Sequence, residues 1–229
     1  MVAHVRAAYD VDMVTVGIGG KCDVIGTDLK TLGSCGSVDI DGRTVNVPLA
    51  GKANILNVLL AWAVCKKFIS LSDFIGAVEF LRPYEGRLAP MTIGPLMVLD
   101  DCYNANPVSM HNALYCLHSI AKDTGKRAVF IAGCMAELGN ESELHHEQLG
   151  RNVADHEVKV LLAAGPFAEH IVQGVSKAAK DSLEAVSFQN TDQLCDNLHK
   201  WIQPDDIILV KGSRSARLER AIERLKELF

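Results

Sequence analysis

At 229 residues, 48% hydrophobic and 22% charged, the chain has the size and composition of a globular protein with one large domain or two smaller ones. A formal net charge of −5 without a basic block argues against a nucleic-acid partner, and no apolar stretch reaches the ~18–20 residues of a membrane span. Seven cysteines at irregular spacing, with no CxxC or CxxH pair, suit a reducing cytosol better than a disulfide framework or a zinc site.

The first residues, Met1–Arg6, lack the charged-then-apolar-then-small order of a signal peptide, so the expected location is cytoplasmic. Met13–Val16, Cys22–Thr27, Ser37–Ile40 and Thr44–Val47 are β-branched runs punctuated by glycine and read as strands, with Asp41-Gly42 as a hairpin turn. Asn54–Phe68 reads as a helix apolar nearly all round, hence buried. Ser72 is the expected cap of a second helix carrying Phe74, Val78 and Leu81. Pro83–Arg87 then breaks the pattern as a linker, dividing the chain into 1–82, 83–87 and 88–229.

From Pro95 the rhythm becomes regular. Strands are expected at Leu96–Asp100, Arg127–Ala132, Lys159–Leu162, Ala185–Phe188 and Ile207–Val210. Between and after them come helices: one with Met110, Ala113, Leu114 and Leu117 inward, then Ser142–Ala154, Ala168–Ala179, Thr191–Trp201 and Ala216–Leu228. This alternation predicts an α/β fold whose second part is a doubly wound, mostly parallel sheet of five or six strands, Rossmann-like in arrangement. Parallel strands place their C-terminal ends on one edge, where open α/β sheets bind ligands. Asp100-Asp101, Gly133–Glu137, Gly165, Asn190-Thr191 and Lys211–Ser215 fall on that edge. Asn106-Pro107 also reads as a plain helix cap followed by a first-turn proline. Cap chemistry alone does not call for an acidic pair or a Lys-Gly-Ser-Arg run.

A phosphate-binding loop needs Gly, four residues, then Gly-Lys-Ser/Thr. The nearest stretch, Thr15–Cys22, lacks the first glycine and the hydroxyl and leads into a strand; Gly51-Lys52-Ala53 fails likewise. No Gly-x-Gly-x-x-Gly opens the doubly wound part.

Asp100-Asp101-Cys102-Tyr103-Asn104-Ala105-Asn106-Pro107, Met135-Ala136-Glu137-Leu138-Gly139 and Lys211-Gly212-Ser213-Arg214 together resemble the Mur ligases, in particular the branch that adds D-alanyl-D-alanine to a UDP-muramoyl tripeptide. The resemblance covers the end of the central ATPase domain and the whole C-terminal domain. It implies an ATP- and Mg²⁺-dependent ligase of peptidoglycan synthesis, forming an amide bond through an acyl phosphate. It further implies that Asn57 reaches adenine, Arg87 the ATP phosphates and Asp101 the ribose. Tyr103, Asn104, Asn106, Lys211, Ser213 and Arg214 would line the side where the dipeptide enters. An acyl-phosphate ligase must neutralise phosphate charge and hold an acceptor carboxylate, which suits Arg87 for the first and Lys211 or Arg214 for the second.

Asn54, Glu137 and His146 are further candidates; Asn54 and Asn57 equally suit a helix N-terminus, and Glu137 and His146 equally suit the surface. Three positions depart from the family: Ala53 stands for histidine, Cys102 for serine and Cys134 for aspartate. The resemblance places the phosphate loop, the magnesium-binding acid and the UDP-substrate domain before Met1. The chain alone is therefore expected to be inactive and to bind ATP, Mg²⁺ and substrates weakly. A non-catalytic nucleotide- or peptide-binding module, or one half of a split ligase that docks on a separate N-terminal half, are the alternatives.

Overall fold

A computed structural model describes residues 12–33, 35–178 and 183–229. Met1–Arg6 and the expected helix end at Ala179 lie outside the described residues. The chain forms two compact units, one that reaches Arg82 and one built on Pro83–Phe229.

In the first unit, β1 (Val16–Ile18), β2 (Val24–Leu32), β3 (Cys35–Ile40) and β4 (Arg43–Val47) form a sheet in sequence order. The β3–β4 hairpin turns at Asp41-Gly42, both with positive φ (50° and 78°), the geometry whose twist matches that of paired strands. The first two strands begin later than the sequence suggests. Residues 13–15 lie outside the ladder, and Thr15 instead donates its N–H (2.7 Å) and hydroxyl (2.6 Å) to the Asp23 carboxylate.

Helix α1 (Lys52–Cys65) buries Ile55, Val58, Leu59 and Trp62 against Val38, Val45 and Val47, and Trp62 meets Phe74 of α2 (Leu71–Glu79) at 5.1 Å. The expectation of a helix buried all round at 54–68 is corrected: Leu56, Leu60 and Val64 are 38, 49 and 64% exposed. Apolar composition around a helix says what could be buried, whereas only the stripe facing the sheet finds a partner. The cap of α2 is also corrected, from Ser72 to Ser70, whose hydroxyl accepts the Asp73 N–H.

The second unit is built on a six-stranded sheet in the order β5-β6-β10-β7-β8-β9. Its strands are β5 (Ala89–Ile93), β6 (Leu96–Asp101), β7 (Ala128–Ala132), β8 (Val160–Ala164), β9 (Glu184–Phe188) and β10 (Ile207–Lys211). All neighbours are parallel except β5 and β6. Strand β5 was not expected; Pro90 obscures it, and is tolerated because β5 is an edge strand.

The helices are α3 (Pro107–Thr124), α4 (Ser142–Asp155), α5 (Ala168–Lys177), α6 (Thr191–Asn197) and α7 (Glu219–Leu228). Alternate strand residues separate two apolar layers. Val98, Val129, Leu162 and Val210 pack with Leu194 of α6 and with Ile222 and Leu225 of α7. Leu99, Phe130, Leu161 and Leu209 are fully buried on the opposite face, where α3 meets β7 and β10. The last two helices are shorter than expected. Residues Leu198–Lys200 and Arg214–Ala216 form separate 3-10 turns, and Arg217, with φ of 51°, delays α7. Among the described residues no helix is long and apolar enough to cross a membrane.

Candidate functional site

Parallel pairing of β6, β10 and β7 brings Asp101, Lys211 and Ala132 into register at one edge, with Lys211 opposite both neighbours. The loops that follow these strands are laced together there. Gly133 N–H donates to the Lys211 carbonyl (2.8 Å), Ser213 N–H to the Cys134 carbonyl (2.9 Å), and Ala136 N–H to the Ser213 hydroxyl (2.8 Å). This closeness requires glycine: a Cβ on Gly212 would lie 3.0 Å from the Gly133 Cα, and one on Gly133 would lie 2.8 Å from the Ala216 Cβ. Ser213 is buried and functions here as a structural tie between loops.

Lys211 is 1% exposed. Its Nζ lies 2.7 Å from Asp101 Oδ2 and donates to the Asn104 carbonyl at 2.9 Å. Asp101 Oδ1 accepts the Leu88 N–H (3.1 Å). Burial raises the Asp101 carboxyl above its usual range, against the opposing pull of the Lys211 ammonium. The neighbouring Asp100 projects to the other side of β6. Its oxygens accept the N–H groups of Gly86 (3.0 Å) and Cys102 (3.1 Å).

Gly86 has φ of 73°, a conformation that strains other residues, and a Cβ there would lie a tight 3.2 Å from Tyr103. Tyr103 N–H donates to the Gly86 carbonyl, and the exposed Arg87 guanidinium sits 4.3 Å above the Tyr103 ring centroid. Asn104 turns its side-chain oxygen back to the Ala105 N–H (2.8 Å). Asn106 caps α3 in a reciprocal box with Ser109, which engages its side-chain oxygen and its backbone N–H.

His146, on α4, is fully buried. Its Nε2 accepts the Met135 N–H (2.9 Å), Nδ1 is 2.6 Å from the Ser142 carbonyl, and its ring stacks on Phe167 at 4.6 Å. This arrangement requires the Nδ1–H tautomer, and burial lowers its basicity. His146 is therefore a support for the 133–139 loop and not a surface residue. Glu137, in the same loop, is exposed with φ of 63°.

Asn54 and Asn57 belong to the first unit. Asn54 donates to the Ala50 carbonyl (2.8 Å) and Asn57, exposed, to the Asn54 side-chain oxygen (3.4 Å). Neither caps α1, whose N-cap is Gly51 without a side-chain bond.

A cleft of about 330 Å³ opens in the second unit, lined among others by Gly86, Asp100, Cys102, Tyr103, Arg214 and Glu219. Of the six acceptor-side candidates, Tyr103 and Arg214 line it, whereas Asn104, Asn106, Lys211 and Ser213 are engaged in the scaffold. Glu219, which sequence reasoning missed, carried no signal beyond an acid at a helix start. Asp100 was noted only as half of a pair; period-two alternation along β6 separates it from Asp101. The Cys102 thiol donates to the Val210 carbonyl (3.5 Å), and burial, with Asp100 next in effect, pushes its pKa far up, so it is a neutral packing group.

Residues 86–214 match the family described as "Mur ligase, glutamate ligase domain". The UDP-N-acetylmuramoyl-tripeptide--D-alanyl-D-alanine ligase of Escherichia coli is 34% identical over 206 residues, which are 88% of this chain and 42% of that protein. A crystal structure of MurF from Acinetobacter baumannii superposes with a TM-score of 0.85 at 28% identity, covering 97% of this chain and 48% of that one. MurF from Thermotoga maritima, solved in complex with ADP, shares the fold with a TM-score of 0.74 at 20% identity, over 93% of this chain and 48% of that one. The chain spans less than half the length of these relatives.

Proposed function

The chain belongs to the Mur ligase family, and from that premise we propose that it supplies the acceptor-side domain of an ATP-dependent ligase joining D-alanyl-D-alanine to a UDP-muramoyl tripeptide. The observation that carries this reading is the lacing of the 100–107, 133–139 and 211–214 segments at the C-terminal edge of one parallel sheet. That edge is where open α/β sheets bind ligands. The 133–139 loop is pinned from beneath by His146, so the edge is preorganised.

For the nucleotide, Arg87 is the group suited to phosphate, since its guanidinium is exposed and held over Tyr103. Asp101 would take a ribose hydroxyl. Its oxygens, one bonded to Leu88 N–H and one to Lys211, each retain a lone pair, and 15% of its side chain remains exposed. Asn57, exposed on α1, is the candidate for the base. Among the described residues no group of three or more His, Cys, Asp or Glu is placed to hold a metal. The domain reading follows: residues 1–82 as the end of a central ATPase domain, 83–87 as linker and 88–229 as the C-terminal domain.

A chimera tests the proposal. This chain replaces the matching segment of the Escherichia coli ligase, and dipeptide-dependent ADP release is measured with the tripeptide substrate. Turnover in the chimera, with none from the 229-residue chain alone, is the expected result. A folded chimera that binds the UDP substrate yet shows no turnover would overturn it. Dipeptide-dependent hydrolysis by the 229 residues alone would show instead that they hold a complete ATP site.

A further inference from the structure

We propose that Tyr103 is the positioning residue for Arg87, its ring holding the guanidinium in place and unneutralised for an entering phosphate. The inference rests on the phosphate reading of Arg87 above. It gives a second role to a residue first expected on the acceptor side alone.

The main chain around Arg87 is fixed from both sides. Asp100 accepts the Gly86 N–H at 3.0 Å and Asp101 accepts the Leu88 N–H at 3.1 Å. The two acids at the end of β6 thus pin both residues that flank Arg87. Arg87 N–H donates to the Tyr84 carbonyl and Tyr103 N–H to the Gly86 carbonyl, each at 3.0 Å. These bonds place the Arg87 Cα but leave its long side chain to turn, and an arginine has much rotamer entropy to lose. What restrains the guanidinium is the Tyr103 ring, whose centroid lies 4.3 Å from Cζ.

The kind of partner decides what the cation can still do. Arg127, Arg151, Arg214, Arg220 and Arg224 each lie against a carboxylate. Such a partner neutralises the charge and occupies N–H donors that a phosphate would need. Arg87 lies against a ring instead. The ring attracts the cation through its quadrupole and neutralises no charge. Tyr103 is 47% exposed and Arg87 is exposed as well, so the stack adds little to the stability of the fold. Its effect is on where the guanidinium stands.

NMR of the full 229-residue chain reads this arginine directly. The ring current should move the Arg87 Nε–H and Cδ protons upfield in the wild type and in Tyr103→Phe. It should not do so in Tyr103→Leu, where the main-chain bond to Gly86 remains. Inorganic tripolyphosphate, titrated at low ionic strength where screening is least, should shift the same signals. Its affinity should be kept in Tyr103→Phe and fall about two- to fivefold in Tyr103→Leu, the loss for one exposed cation–π contact. Equal affinity in the wild type and Tyr103→Leu would overturn the positioning role and leave Arg87 as a phosphate-binding residue. No response of Arg87 to tripolyphosphate in the wild type would overturn both. Absence of the upfield displacement in the wild type would overturn the stack itself. That reading needs no variant, so a folding defect in Tyr103→Leu would not hide the answer.

Discussion

The Lys211 ammonium lies 2.7 Å from the Asp101 carboxylate, across the register that sets these two residues side by side on β10 and β6. Both carry charge in a place where water is scarce, and each makes the other tolerable. Lys211 is thereby a brace for the 101–104 loop, and a bound carboxylate would have to displace Asp101 to use it. Arg214 is left as the accessible cation of that segment.

Lys211→Met should therefore destabilise the fold by about 3–5 kcal/mol at neutral pH, because Asp101 would be buried without its counter-charge. The sign with pH follows from the raised Asp101 carboxyl. A carboxyl raised in the folded state favours folding when protonated, and that contribution is lost as pH rises through its folded pKa. Removing Lys211 raises it further, so the penalty should shrink as the solution is acidified. Urea unfolding at several pH values measures this, with Asp101→Asn/Lys211→Met expected to recover most of the loss. An equal penalty at all pH values would show that Lys211 acts through packing alone.

His146 makes the opposite kind of demand. Its basicity is lowered by burial, so it contributes stability above its ordinary pKa of 6.5, and this is lost as pH falls through the lower folded value. The wild-type melting temperature should drop on acidification below about pH 6.5. Part of that drop should disappear in His146→Gln, whose amide oxygen can still accept the Met135 N–H. Identical acid profiles for the two proteins would exclude His146 as a source of acid sensitivity.

Asn106→Ala should cost about 1 kcal/mol, the usual value for a helix cap, since it leaves the Ser109 N–H without its acceptor. Equilibrium denaturation reads this directly. The change should leave the dipeptide-dependent turnover of the chimera in place, because the Asn106 side-chain oxygen is engaged in the α3 cap. Loss of that turnover in a folded variant would return Asn106 to the binding surface.

The cysteines should separate by environment. Cys35 is exposed, whereas Cys102 and Cys116 are buried, Cys102 with its thiol strongly raised and Cys116 with its thiol pushed up to about 12 by burial. Thiol titration at pH 8 should label Cys35 quickly and these two only after unfolding. Rapid native labelling of Cys102, followed by mass spectrometry, would contradict its assignment as an inert packing group.

The sequence by itself determined the parallel α/β sheet and the family. Apolar runs such as Ile207–Val210 alternate with helical segments such as Ser142–Ala154, and both kinds of pattern are local, set by periods of 2 and 3.6 residues. The Asp-Asp-Cys-Tyr-Asn-Ala-Asn-Pro and Lys-Gly-Ser-Arg runs were equally readable, because they are contiguous. What a polar residue in those runs does was not readable, since its partner lies far along the chain. Lys211 and Arg214 look alike as cations in one loop, yet the β6–β10 register buries the first against Asp101 and leaves the second exposed. His145 and His146 are adjacent on α4, yet the turn of the helix puts His146 alone beneath the Met135 amide and against Phe167. Leu56, Leu60 and Val64 are as apolar as Ile55, Val58 and Leu59, and only the position of the sheet decides which three are covered. Local periodicity sets which elements form; long-range pairing sets which side chains spend their charge or apolar surface on the scaffold and which remain for a ligand.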